Sequence, residues 1–155
     1  MDFSHEATLE NLKYTIEMME KLHAQKAKLD MRIFQHTQLH LPLKTELKEA
    51  VDCGTACCLA GYIAVSPRWK EQGGEVGMEG CPAYYPKELK KGRRGIYLAG
   101  KWLGLADDDE IEGLFANNEQ SSIQYYGWYR EDITYPMVIN KLKAILARRQ
   151  QGETP

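Results

Sequence analysis

Asp52-Cys53-Gly54-Thr55-Ala56-Cys57-Cys58-Leu59-Ala60-Gly61 is the stretch from which the fold of this chain is read. Three of the four cysteines fall inside it, and it joins a polar turn to the small and apolar run from Ala56 to Val65. Gly54 permits backbone angles closed to other residues. The Thr55 hydroxyl is placed to accept from a free amide of a following first turn. Ala56, Cys57, Ala60, Gly61 and Ala64 are small enough to let other helices come close. The stretch therefore predicts a turn feeding a buried central helix over 55–65, ended before Pro67 because the residue preceding a proline avoids helical angles.

Outward from that centre, the pattern is mainly helical. Leu9, Leu12, Ile16, Met19 and Leu22 recur at steps of three and four, an amphipathic helix over about 5–25 with Ser4 as its N-cap. Ile96 to Leu105 predicts another helix, with Gly104 in its C-terminal cap region. Asp107 followed by Glu110 predicts a capping box opening a helix that buries Ile111, Leu114 and Phe115. Thr134 and Pro136 open a last helix whose inner face is Met137, Ile139, Leu142, Ile145 and Leu146, with Arg148 and Arg149 at its negative end. Leu29, Met31 and Ile33, then Leu39, Leu41 and Leu43, alternate as in short extended segments or a hairpin, and Thr45 to Val51 suits a helical turn. Residues 66–92 hold five glycines and three prolines and read as one long loop. The expectation is a single, mainly α domain over 1–150. It has four or five helices, a small extended or hairpin element and one long loop, with 151–155 a frayed tail.

The chain of 155 residues is the size of one domain and, at 43% apolar residues, can bury a core. It has no apolar run of membrane-spanning length, and its start, Met1-Asp2-Phe3-Ser4-His5-Glu6, lacks the basic and apolar regions of a signal peptide. A cytoplasmic protein with reduced cysteines and no membrane partner is expected. The net charge of −2 hides sorted blocks: residues 67–105 carry eight basic and four acidic side chains, whereas 106–134 carry one basic and eight acidic. Such blocks serve either intramolecular pairing or a charged partner.

The order of motifs resembles a loosely defined set of small phage and bacterial proteins. Their pattern is an N-terminal helix, an extended Leu/Phe-Asp-Met element, Cys-Gly-Thr-x-x-Cys-Leu/Ile-Ala-Gly-aromatic, a helix ending in Leu-Gly-Leu, an acidic turn and Leu-Phe. The matching residues here are Leu29-Asp30-Met31, Cys53-Gly54-Thr55 with Cys58-Leu59-Ala60-Gly61-Tyr62, Leu103-Gly104-Leu105, Asp107 to Glu110, and Leu114-Phe115. Tyr62 stands where tryptophan is expected, Cys57 is an additional cysteine, and 66–92 looks like an insertion. The resemblance implies a mostly helical fold and carries over no catalytic residue.

The chemistry is read against plain packing. Buried thiols pack like small hydrophobes. A thiol at a helix start can also be reactive, and His36, His40, Cys53 and Cys57 are four ligands of the types zinc accepts. Phosphate-binding glycine motifs, a nucleophile elbow and a distinct carboxylate pair are all missing. Basic and aromatic residues together suit a binding surface, and Trp69, Tyr84, Tyr85, Arg93, Arg94, Tyr125, Tyr126, Trp128 and Tyr129 are the candidates. A protein partner fits them better than a nucleic acid, because the sequence pI is near 6.1 and the Tyr125–Tyr129 cluster sits beside eight acidic residues. The expected function is that of a non-catalytic phage or bacterial accessory protein that binds another protein, as an inhibitor or regulator of a host. The alternatives are a thiol-dependent enzyme or zinc protein, and a nucleic-acid binder; a homodimer is a further option for the partner.

Overall fold

A computed structural model describes residues 1–35, 43–52, 54–85 and 93–152. The order is α1 (His5–Ala24), α2 (Leu47–Asp52), α3 (Leu59–Val65), α4 (Pro67–Glu71), β1 (Glu75–Val76), β2 (Pro82–Tyr84), β3 (Arg93–Arg94), α5 (Ile96–Trp102), α6 (Asp108–Leu114), α7 (Glu119–Tyr126) and α8 (Tyr135–Gln150). The fold is mainly helical, as expected, but the described residues hold eight α-helices rather than four or five. The additional ones are the short α2, α4 and α7: α2 falls where a helical turn is expected, α4 inside the expected loop, and α7 in a polar and aromatic stretch with no apolar periodicity. Pro67 is the clearest case. It ends α3 and also begins α4, since its fixed φ suits a first helical turn and its missing amide would have had no partner there. The expected long loop over 66–92 thus holds α4 and the antiparallel strands β1 and β2, paired Glu75 with Ala83; β2 pairs in turn with β3, Ala83 with Arg94.

α3 is buried at every position from Leu59 to Val65 and is the centre of the core. It begins four residues later than Thr55, and its N-cap is Cys58, not Thr55. The cause is a strap over residues 29–35. Leu29 and Gln35 both bridge to Cys57. The Cys57 amide donates to Lys28 O at 3.3 Å and the Cys58 amide to Ile33 O at 3.0 Å, so residues 57 and 58 are held extended against the strap. The Cys58 thiol then accepts from the Gly61 amide at 3.4 Å. Gly61 itself lies under the strap: a Cβ there would fall 1.6 Å from Phe34 O. The expected extended element over 29–44 is therefore a strap in its first half; the alternation at Leu39 and Leu41 lies outside the described residues.

α1 and α8 pack along one another. Leu12, Ile16, Met19 and Leu22 face Val138, Leu142 and Ile145 in one core. Ser4 caps α1 as expected, its hydroxyl accepting from the Ala7 amide at 3.3 Å. Asp107 caps α6 by accepting from the Asp109 amide at 2.9 Å, but Glu110 pairs with Arg148 of α8 instead of completing a capping box. Trp69 and Trp102 meet edge to face at 5.3 Å and 82°, both fully buried. Around them Asn11 joins three helices: its amide donates to Trp102 O at 2.9 Å, and its Oδ1 accepts from Arg68 Nε at 2.7 Å and Gln72 Nε2 at 2.9 Å. Among the described residues no helix is long and apolar enough to cross a membrane.

Candidate partner-binding site

Trp128 and Tyr129 are the most exposed of the candidate aromatics, at 56% and 57%, and the backbone beneath them is fixed. α7 opens on Asn118, whose side chain accepts from the Ser121 amide at 2.8 Å, and closes on Gly127 at φ +79°, a left-handed cap that glycine adopts without strain. From inside α7 the buried Ser122 hydroxyl donates to Trp128 O at 2.6 Å. Two residues on, Glu119 accepts from both the Arg130 amide at 3.1 Å and Arg130 Nε at 3.0 Å. The amide of Arg130 foremost, then its guanidinium, holds the Glu119 carboxyl below the usual glutamate value. The turn over 127–130 is thus tied to α7 at both ends, and it presents two large rings to solvent at little further cost in backbone order.

Tyr125 and Tyr126 serve the fold more than the surface. Their rings meet edge to face at 5.1 Å, Tyr125 lies against Gly113 with Lys141 Nζ 4.6 Å from its ring centre, and the Tyr126 hydroxyl donates to Leu114 O at 2.6 Å. Burial pushes the Tyr125 phenol up to about 12. Trp69 leaves the expected surface altogether. It is fully buried, and its indole donates to Glu75 O at 3.0 Å. Tyr84 is half-buried, its hydroxyl accepting from the Met1 amino group at 3.0 Å, while Tyr85 is exposed. The side chains of Arg93 and Arg94 lie outside the described residues. The expected aromatic and basic surface therefore reduces, on the described residues, to Trp128 and Tyr129, with Tyr85 apart from them on the sheet side.

Beside the turn lies a cleft of about 470 Å³ between the strap and the α6–α7 junction. Ile33, Phe34, Ile96 and Phe115 supply its apolar lining, and the buried Cys58 lies in its wall. Arg32, Arg130 and Glu79 are its charged groups. Glu112, Glu119, Glu131 and Asp132 give the neighbouring surface the acidic character that the 106–134 block foretells. Sequence reading passes over Arg32, Glu79, Phe115 and Arg130 as site residues. Only the fold brings them together, and the one local signal was the lone arginine of that acidic block.

Cys57 and Cys58 are buried and hold their protons. Burial pushes Cys57 up to about 12 and Cys58 up to about 11, the second despite the amides that face it at the start of α3. Desolvation of a thiolate outweighs the helix end here. Of the four expected zinc ligands, His36, His40 and Cys53 lie outside the described residues, and Cys57 is fully buried. Among the described residues no group of three or more histidine, cysteine or acidic side chains is placed to hold a metal ion.

Comparison with protein families, curated proteins and solved structures gives no match to this chain.

Proposed function

We propose that this chain is a non-catalytic accessory protein that binds another protein through the 127–130 turn and the acidic surface around it. The observation that supports this most is the fixed presentation of Trp128 and Tyr129. Large aromatic residues dominate the energetics of protein interfaces, and a surface already ordered before binding loses less entropy when it docks. The acidic groups nearby, Glu112, Glu119, Glu131 and Asp132, favour a partner with basic residues and disfavour a phosphate backbone. A phage or bacterial origin, with a host protein as target, is the version of this reading that the motif resemblance favours. Cys57 and Cys58, buried and protonated, do not support the alternative of a thiol enzyme.

The test is capture by the immobilised full-length protein, compared with a Trp128→Ala/Tyr129→Ala variant of unchanged circular dichroism. A partner retained by the parent protein and lost by the variant is expected. The partner is then purified, and binding must weaken with salt, as acidic–basic complementarity requires. Equal retention by both proteins, or a salt-insensitive complex, contradicts the proposal.

A further inference from the structure

At one end of the cleft two arginines are each held along one edge by a carboxylate of their own segment. Asp30 accepts from Arg32 Nε at 3.0 Å and from Nη2 at 2.9 Å. Glu119 accepts from the amide and Nε of Arg130. The two guanidinium groups differ in what remains. Arg32 Nη1 stands 3.7 Å from Glu131 Oε2. Neither Nη nitrogen of Arg130 has a hydrogen-bond partner among the described residues. A planar guanidinium fixed through Nε offers its Nη pair as a fork, and that fork matches the two oxygens of a carboxylate.

The surroundings select the anion. Asp30, Glu119 and Glu131 already face these two arginines, so a group with nearly two negative charges would meet a surplus of carboxylates. A single carboxylate would not be repelled to the same degree. In the same cleft, Ile33 and the largely buried Ile96 and Phe115 form an apolar wall against which one large side chain can pack. A carboxylate and an apolar side chain on the same residue occur together only at the C-terminus of a polypeptide. An internal acidic residue would have to place an apolar neighbour on the opposite side of its own backbone. Trp128 and Tyr129, immediately before Arg130, leave an aromatic surface for the residues upstream of such a terminus.

We infer that the cleft receives the C-terminus of the partner polypeptide, its carboxylate on the Nη fork of Arg130 and its last apolar side chain against Phe115, Ile96 and Ile33. The inference rests on the reading of this chain as a protein binder and assigns the part of the partner that is read. Upstream basic residues of the same segment then lie over the acidic surface of α6 and α7.

Fluorescence anisotropy tests it on the full-length protein with a labelled, lysine-containing peptide ending in Leu-Phe. The free acid is compared with the C-terminal amide, and unlabelled 3-phenylpropionate is the competitor. The acid should bind on the order of tenfold more tightly than the amide, the scale of a charge-assisted hydrogen-bonded pair. Arg130→Gln should remove that preference, and Arg130→Lys, which keeps the charge without the fork, should retain only part of it. Both variants should keep the parent melting temperature. Three results overturn the inference: an amide that binds as tightly as the acid, a preference that survives Arg130→Gln, or no binding of the acid by the folded protein. Competition by 3-phenylpropionate at the concentration of the peptide also overturns it, in favour of a site for free apolar acids. If a captured partner is lost with Trp128→Ala but retained by Arg130→Gln, protein binding stands and the C-terminal reading falls.

Discussion

Arg149 and Arg130 are the same side chain in opposite circumstances. Arg149 is 4% exposed, and its guanidinium donates to Leu103 O at 2.8 Å, to His5 O at 3.2 Å and to Thr8 Oγ1 at 2.8 Å. No carboxylate faces it among these partners, and burial lowers its pKa from the usual arginine value. It stands instead at the negative C-terminal end of α5, closing a free carbonyl in the way a cap would. Arg130 is half-exposed, with one edge held by Glu119 and the other open to the cleft. The difference separates a structural arginine from a binding one. What matters is not exposure alone but how many donors the fold has already engaged.

Substitutions can break or sharpen that contrast. The largest effect is expected where the core meets the cleft wall. Gly61→Ala puts a Cβ 1.6 Å from Phe34 O, a backbone atom that cannot rotate away. A loss on the order of 4 kcal/mol in urea unfolding is expected, because overpacking against a fixed backbone must displace the strap. Arg149→Met comes next, at about 3 kcal/mol, since Leu103 O and Thr8 Oγ1 lose a buried donor. A loss under about 1 kcal/mol would show that water reaches these groups and that Arg149 is not the structural partner described.

Alkaline pH probes the cleft side. Cys57 and Cys58 are raised in the folded protein to about 12 and about 11 from a value of 9.0. Below pH 9.0 both states hold their thiol protons, and the contribution to stability is complete. Above it the unfolded chain ionises first, so stability should fall from pH 9 towards pH 11 and beyond, as followed by unfolding midpoints. Rapid modification of both thiols in the native protein at pH 8 would mean that the strap does not seal them. A smaller effect is expected for Ser122→Ala. Freeing the Trp128 carbonyl should cost about 1 kcal/mol and should weaken partner capture through disorder of the turn, visible as a drop in Trp128 fluorescence anisotropy. The smallest is Arg130→Gln, which removes a half-exposed ion pair and should change stability by about 0.5 kcal/mol or less. Its effect belongs to binding.

The helices with a full apolar stripe were legible in the sequence. α1 and α8 carry their inner faces at steps of three and four, and Ser4 and Asp107 announce their helices by side-chain chemistry that needs no tertiary context. α7 was not legible: Glu119 to Tyr126 contains one aliphatic residue, and its stability comes from Asn118, Gly127 and the packing of Tyr125 on Gly113. The start of α3 was misplaced for a related reason. Thr55 is a competent cap, but the amides of Cys57 and Cys58 are taken by a strap some 25 positions earlier in the chain, a contact that no local pattern encodes. The sequence places Arg149 at the negative end of α8, but its contacts to His5 and Thr8 were not legible because those residues lie at the far end of the sequence. The candidate site shows the same division. Trp128 and Tyr129 were visible as residue types, but Trp69, chosen on the same ground, is core. The cleft draws on positions between 31 and 130 and exists only once they are folded together.

The contacts of Arg149 also bear on the order in which the chain can acquire its structure. The bond from Arg149 to Thr8 spans 141 positions and that to His5 spans 144. α1 precedes α8 in the chain, and the face of α1 that packs on α8 is not covered until α8 has followed. During synthesis α1 must therefore wait, with Leu12, Ile16 and Met19 uncovered, and closure of so long a loop is a slow event. A chain stopped just before Arg149 would hold α1 and most of α8 without the buried guanidinium that bonds to Thr8 and Leu103. Such a fragment should be a target for chaperones and proteases rather than a smaller working protein.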